Sequence, residues 1–169
     1  MREIICFAWG TSSLGDFVVA TSDKGIVTLE FSSLHAAMED TLQLRFPHAS
    51  LERREDDLAG IIGTVVGLFD NPAADCGLPL DLRGTSYEVN VWRMLREIPS
   101  RHTTTYGALA AKLGSRDARE VTAAIANNSI AVIVPCHRVI KKDGSISGYR
   151  WGGKRKRALL AREQRMTEH

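Results

Sequence analysis

Cys136 and His137 sit side by side in Val134-Pro135-Cys136-His137-Arg138-Val139, and no other pair in the chain is better suited to covalent chemistry. A free thiol titrates near about 8.5, so a cysteine needs help to act as a nucleophile at neutral pH. An imidazole is the usual helper. Neighbouring side chains on an extended segment point apart, so His137 is expected to reach Cys136 through a water. A lone cysteine beside a core strand is more often a small buried hydrophobe. Against that reading, the charged Arg138 directly after His137 does not suit a purely apolar core segment.

The elements that must position this pair follow from the flanking pattern. Ile130-Ala131-Val132-Ile133-Val134 is a β-branched apolar run between Asn127-Asn128 and Pro135. It predicts a buried strand over 130–134, ended by Pro135, which cannot donate to a sheet ladder. Upstream, Thr85-Ser86-Tyr87-Glu88 is a capping-box pattern. It predicts a helix to about Ile98 that buries Val89, Trp92, Leu95 and Ile98. Thr103-Thr104-Thr105 caps a second helix over 106–113, closed by Gly114, and Ser115 caps a third over 116–126. Two short helices joined at Gly114-Ser115 read as a helix-turn-helix. An Asp143-Gly144 turn between 138–140 and 145–147 predicts a hairpin, the wing of such a domain. A last helix over 154–165 opens on Lys154-Arg155-Lys156-Arg157. Like charges there oppose the helix dipole, which suits either a bound counter-charge such as phosphate or a plain basic surface.

The first half carries no catalytic constellation. Runs 4–9, 16–21 and 26–31 predict strands, the last two joined by an Asp23-Lys24-Gly25 turn. Ser32-Ser33 is expected to cap a helix to about Phe46, stopped by Pro47. A second helix is expected over 55–69, with Leu58, Ile61, Ile62, Val65 and Leu68 at helical spacing. His35 and His48 stand alone, and the mixed charges of 52–57 read as solvated surface. Residues 70–81, with Pro72, Gly77 and Pro79, read as a connection. Cys76 lies within it and is incidental. The fold class is therefore α+β, with one domain over 1–78 and another over 79–169.

Composition narrows the partners. The 169 residues suffice for one large domain or two small ones. No run approaches the roughly 18 apolar residues of a membrane span, and Met1-Arg2-Glu3-Ile4-Ile5-Cys6 lacks a signal peptide's apolar stretch. Three cysteines without CxxC spacing suit a reducing cytoplasm and argue against a zinc ribbon. Residues 1–83 hold six Lys/Arg against thirteen Asp/Glu, whereas residues 84–169 hold sixteen against seven. That split favours a polyanion partner for the second half alone, with a solvated basic face as the alternative. Thr122-Ala123-Ala124-Ile125-Ala126 in the presumed recognition helix offers few base-reading side chains. Small residues allow close backbone approach, so binding is expected to be shape-tolerant and driven by phosphate contacts.

Pro135-Cys136-His137-Arg138-Val139 resembles the active-site signature of the O6-alkylguanine-DNA alkyltransferases. Leu80-Asp81-Leu82-Arg83-Gly84-Thr85, Tyr106-Gly107-Ala108-Leu109-Ala110 and Ser147-Gly148-Tyr149-Arg150-Trp151-Gly152 resemble further blocks of that family, in family order and at nearly family spacing. The likeness is strong over 79–165 and weaker over 1–78. The Arg150-Trp151 block is most similar to the C-terminal half of bacterial Ada proteins.

The resemblance implies a ribonuclease H-like first domain and a winged-helix second domain. It implies a monomer that flips O6-alkylguanine out of double-stranded DNA from the minor groove and transfers the alkyl group to its own cysteine, once per molecule, with O4-alkylthymine as a possible further substrate. On that reading Cys136 is the acceptor, His137 the base and Glu163 the carboxylate that orients the imidazole. Tyr106 donates to the leaving guanine, with Lys156 near its hydroxyl. Tyr149 and Arg150 belong to the loop over the flipped base, and Asn128 is a hinge between recognition helix and acceptor. Arg119 fills the gap left by the base, and Ala123 and Ala124 lie on the helix that enters the groove. The segment from Tyr106 to Arg119 is one residue shorter than the family pattern, so Arg116 competes for the role of Arg119. Glu120 stands where the family carries a small residue.

No cofactor is expected. Some family members hold a structural zinc in the first half, but Cys6 is the one thiol there before Cys76, so no metal is expected. Three other readings compete. A winged-helix regulator with an inert Cys136 would want a more polar reading helix. A non-catalytic alkyltransferase-like lesion binder would lack the cysteine. A Cys–His hydrolase would need an oxyanion site, and the sequence offers none that can be located.

Overall fold

The first half of the chain builds a sheet, and the second half closes over one face and one edge of it. The computed structural model describes residues 2–115, 117–146 and 148–165. β1 (Glu3–Ser12), β2 (Gly15–Thr21) and β3 (Ile26–Phe31) are consecutive antiparallel strands, as the apolar runs and their turns predict. Gly25 is needed at its turn: its φ is +152°, and a Cβ there would meet the Pro79 carbonyl oxygen at 2.5 Å. β4 (Ala49–Arg53) runs parallel to β1 and completes the order β3-β2-β1-β4. Its last two residues fall in the charge run expected to be solvated surface. A short edge strand tolerates such charges, which also protect the edge from pairing with other chains.

α1 (His35–Arg45) and α2 (Ala59–Asp70) cover opposite faces of the sheet. Met38, Leu42 and Phe46 meet Ile5, Phe7, Val18 and Ala20 on one face. On the other, Val65 and Phe69 of α2 meet Ala8, Phe17, Val19 and Leu29. Both of these helix starts differ from expectation. Leu34, not a serine, occupies the N-cap of α1; Ser32 Oγ accepts the Leu34 N–H at 3.1 Å instead. α2 starts four residues later than expected, because the chain turns at Arg54–Leu58, with the Leu58 N–H donating to Arg54 O at 3.1 Å.

The core against α2 continues without a break into the second half through Trp92, Leu95, Val121, Val134 and Leu159. α3 (Ser86–Arg96) starts at the expected capping box, with Thr85 and Glu88 bonded reciprocally at 3.1 and 3.0 Å. Thr105 caps α4 (Tyr106–Lys112). α5 (Ala118–Ala126) is capped by Asp117, whose Oδ1 accepts the Arg119 N–H at 2.9 Å, and not by Ser115. Ser115 Oγ accepts the Asp117 N–H and so shapes the approach. Trp92 Nε1 donates to Ala124 O at 2.9 Å and ties α3 to α5.

The expected wing takes a different form. β6 (Val139–Ile140) pairs in parallel with β5 (Thr104–Thr105), not with Ser145 or Ile146. The turn at 141–144 does form, through Gly144 N to Lys141 O at 2.9 Å and Lys141 N to Ser145 O at 3.1 Å. Ser147 lies outside the described residues. α6 (Gly153–Arg165) ends the described chain.

The open edge of β3 is filled by the end of the connection and by the second half. Asp81 N donates to Ile26 O at 2.8 Å, Leu29 N to Ser129 O at 2.8 Å, and Ala131 N to Leu29 O at 2.7 Å. The segment leading to Cys136 is therefore seated directly on the first-half sheet. No helix among the described residues is long and apolar enough to cross a membrane.

Candidate active site

Residues 130–134 are not a strand. Ile130 alone bridges Leu29, and the chain then makes two three-residue turns. In the first, Ile133 N donates to Ala131 O at 2.7 Å around Val132 at φ +67°. This is the rarer, strained form of γ-turn, and a β-branched residue there costs about 1–3 kcal/mol. In the second, Cys136 N donates to Val134 O at 2.8 Å around Pro135 at φ −82°, ψ 61°, the relaxed form. A short buried apolar run does not by itself distinguish a strand from a folded core segment.

What replaces the missing ladder is the Asn128 carboxamide. Its Oδ1 accepts the Ile130 N–H at 2.9 Å. Its Nδ2 faces Ile130 O and Val134 O, both at 3.2 Å, and Cys136 Sγ at 3.3 Å. Two amide protons are thus shared among three acceptors, one of them the thiol. Asn128 is buried, and it links the end of α5 to the sulfur.

Cys136, His137 and Arg138 form a single 3-10 turn, all buried. Glu163 of α6 meets them from below. Its Oε1 accepts from Arg138 Nε at 2.7 Å and from Arg138 Nη2. His137 Nε2 lies 3.5 Å from the same oxygen, in ion-pair range but longer than a hydrogen bond. His137 Nδ1 has no hydrogen-bond partner within the protein. Arg138 also donates to Ile98 O at 2.8 Å and Pro72 O at 3.2 Å, so its guanidinium is tied in on three sides.

Burial sets the electrostatics. It pushes the Cys136 thiol up to about 11, against the Asn128 amide and the charges of Lys156 and Arg150, which pull it down. Burial also lowers His137, with Glu163 opposing, so the imidazole is held neutral. Burial alone would raise Glu163, but His137 and Arg138 outweigh it, and the carboxyl sits below its ordinary value. Lys156 is fully buried, and desolvation lowers its ammonium against the attraction of Cys136. The Tyr106 hydroxyl is raised by burial and by Cys136, and Tyr149 more strongly by the same causes. The four groups Cys136, Tyr106, Tyr149 and Lys156 therefore share one electrostatic site.

The loop from Gly148 to Gly152 lies against this site. A Cβ on Gly148 would lie 3.4 Å from the Tyr106 hydroxyl. Tyr149 is buried with its hydroxyl unpartnered, and its ring meets Trp151 edge-on with centroids 5.3 Å apart. Arg150 donates to Asn128 O at 2.8 Å and pairs with Glu30 Oε1 at 3.0 Å. Beside Tyr106, an open cavity of about 690 Å³ is lined by Thr105, Gly107, Ala108, Lys141 and Lys142.

The residues expected on the outer face of α5 divide. Ala123 is exposed, whereas Ala124 is 3% exposed and turns inward beneath α3, so its side chain supports the helix from within. Arg119 projects outward, its side chain 92% exposed, and pairs with Asp117 at 3.0 Å. Arg116 lies outside the described residues. Among the described residues no three His, Cys, Asp or Glu gather to hold a metal ion.

Sequence reasoning gave no site role to two charged residues that the structure brings in. One is Arg138, the nearest partner of Glu163. The other is Glu30, 4% exposed in a strand buried at every position. The signal for each was a charge within an apolar run, since a buried charge demands a partner.

Residues 86–165 match the family model described as 6-O-methylguanine DNA methyltransferase, DNA binding domain. The chain is 37% identical over 163 residues to the bifunctional transcriptional activator/DNA repair enzyme Ada of Escherichia coli, covering 96% of this chain and 46% of that protein. It is 33% identical over 156 residues to the inducible methylated-DNA–protein-cysteine methyltransferase of Bacillus subtilis, covering 90% of this chain and 86% of the relative. The structure of Mycobacterium tuberculosis OGT in complex with DNA is similar at TM-score 0.76 and 30% identity, covering 95% of this chain and 93% of that one. The chain spans about half the length of the Ada proteins it matches.

Proposed function

The chain belongs to the methylated-DNA–protein-cysteine methyltransferase family, and on that premise we propose that it repairs O6-alkylguanine in DNA by moving the alkyl group onto Cys136. The observation that carries this reading is the contact of a buried thiol with the Asn128 amide, one residue from an imidazole held neutral beside an anionic carboxylate. A neutral imidazole with a free Nδ1 suits a base that acts through a water.

In the proposed reaction His137 takes the Cys136 proton through that water, and Glu163, held by Arg138, stabilises the resulting imidazolium. The thiolate attacks the saturated carbon on O6. A carbon–sulfur bond forms, the carbon–oxygen bond breaks, and its electron pair passes to the guanine. Tyr106 supplies a proton to the leaving base, with Lys156 beside it to support the change in charge. The product is a thioether that thiol exchange does not reverse, so each molecule acts once.

Reaching the base requires base flipping, which costs a few kcal/mol of stacking. The exposed guanidinium of Arg119 is suited to fill the gap, with Arg116 as the competing candidate. The small outer face of α5 at Ala123 fits the minor groove. The excess of basic residues after position 83 supports phosphate-driven, sequence-tolerant binding to double-stranded DNA. Tyr149 and Arg150 would form the loop over the flipped base.

We further read the first 78 residues as a ribonuclease H-like domain and residues 79–169 as a winged-helix domain acting as a monomer. A cytoplasmic setting would keep the acceptor thiol reduced. The proposal extends to repair and not to transcriptional activation. The test is stoichiometry: with excess duplex carrying O6-methylguanine, lesion loss should plateau at one per protein molecule. Continued turnover, or no loss despite tight binding, would contradict it.

A further inference from the structure

Glu30 is a buried carboxylate on β3, in the half of the chain that holds none of the residues assigned to the reaction. Its two oxygens are divided. Oε2 accepts from Arg45 Nη1 at 2.6 Å, at the end of α1, where the same nitrogen also donates to Thr28 Oγ1 at 3.1 Å. Oε1 pairs with Arg150 Nη2 at 3.0 Å. The other arm of Arg150 donates to Asn128 O at 2.8 Å, and the Asn128 amide reaches Cys136 Sγ at 3.3 Å. The Arg150 guanidinium also stacks over Trp151, with Cζ 5.5 Å from the ring centroid. One guanidinium, through an ion pair on one arm and a hydrogen bond on the other, thus joins the first-half sheet, the loop that carries Tyr149 and the hinge at the thiol.

Two features make this more than a surface contact. Glu30 is almost wholly desolvated, so it is costly unless paired. Arg150 is planar and presents its donors in a fixed fork, which lets it hold Glu30 and the Asn128 carbonyl in one geometry. The backbone bonds between Leu29 and residues 129–131 already seat the acceptor segment on β3, one residue away. The side-chain fork fixes the loop above it.

We propose that Glu30 is a positioning residue for alkyl transfer: acting through Arg150, it anchors the 148–152 loop to the first-half sheet and sets Asn128 and Cys136 in register beneath it. The proposal rests on the repair reading above. It assigns the first half a part in the chemistry, since loss of Glu30 frees the loop while leaving the DNA-facing side of α5 unchanged.

The test is single-turnover transfer from an O6-methylguanine duplex by the full chain, measured over a range of duplex concentrations. For Glu30→Gln the saturating rate constant should fall about tenfold, as expected when a positioned group shifts slightly, while the half-saturating duplex concentration stays within about twofold. Arg150→Ala should show a similar loss, and the double variant should lose no more than the worse single one, because both act along one path. Losses that multiply in the double variant, or a Glu30→Gln rate within about twofold of wild type, would overturn the proposal. Should Glu30→Gln fail to fold, Arg150→Lys decides. It keeps the charge but lacks the fork, so it should match the loss of Arg150→Ala; a wild-type rate would overturn the anchoring role. Failure of the wild-type chain to transfer any methyl group would instead count against the repair reading.

Discussion

Arg138–Glu163 and Arg119–Asp117 are the same chemical pair in two settings. The inner pair is 10% and 1% exposed, and the outer pair is 92% and 46% exposed. Inside, both charges have lost their water, so neither is tolerable without the other. Outside, solvent screens the attraction, and the pair is easily exchanged. The inner arginine is therefore part of the architecture that holds His137 and Glu163 together. The outer one is free to leave Asp117 for a phosphate or an empty place in a base stack. Where a charge sits decides whether it builds the site or meets the partner.

The sharpest way to break this comparison is Arg138→Met. It strands a buried carboxylate and should cost about 3–5 kcal/mol in chemical denaturation. Arg119→Ala should leave the denaturation midpoint unchanged, and equal losses at the two sites would erase the distinction. Next in size is Asn128→Ala, which strands the buried Ile130 N–H and removes one donor each from the Ile130 and Val134 carbonyls. It should cost about 1–3 kcal/mol and slow transfer as well; a stability loss with full transfer rate would separate the hinge from the chemistry.

Acid probes the inner site without mutation. The folded state holds His137 neutral, below its ordinary value of 6.5. The unfolded chain therefore binds a proton first, and stability should fall as pH drops through that value. Glu163 is held below its ordinary 4.5, so its contribution is present above that value and is lost as pH falls through the depressed one. Melting temperature should decline from pH 6.5 downward, and His137→Gln should remove the first part of the decline. A flat profile from pH 8 to 5 would contradict the burial of a neutral imidazole.

The outer face should give smaller effects. Arg119→Ala should weaken binding to lesion duplex and slow repair there by about tenfold, with little change on a single strand, where no stack needs filling. An unchanged Arg119→Ala with a defective Arg116→Ala would move the finger role to Arg116. Glu120→Ala, removing an acid beside Arg119, should tighten duplex binding by about twofold, with the gain shrinking at high salt.

Much of this was legible in the sequence where local rules act alone. The strands of the first hairpins, the capping box at Thr85 and the helix expected over 154–165, found over 153–165, follow from alternation, caps and spacing. Residue type and family likeness single out Cys136, His137 and Glu163 in the sequence; the structure puts Cys136 and His137 on one buried turn, with Glu163 3.5 Å from His137. The segment 130–134 was not legible as a turn. Its β-branched composition favours a strand, and nothing in that composition shows that the neighbouring Asn128 side chain turns back to satisfy a folded backbone. β4 was hidden because an edge strand with charges lacks the apolar alternation of an inner one. The pairings of Arg138 with Glu163 and Glu30 with Arg150 span 25 and 120 residues, so only the tertiary fold could reveal them.

The central claim is that Cys136 accepts the alkyl group, and intact mass tests it most directly. The full chain and a Cys136→Ser variant would each be incubated with a duplex carrying O6-methylguanine, then weighed and mapped by peptide mass. The account predicts that wild type alone gains one CH2, on the peptide bearing Cys136. No gain despite lesion binding would contradict it, as would a gain on Cys6, on Cys76 or in the serine variant.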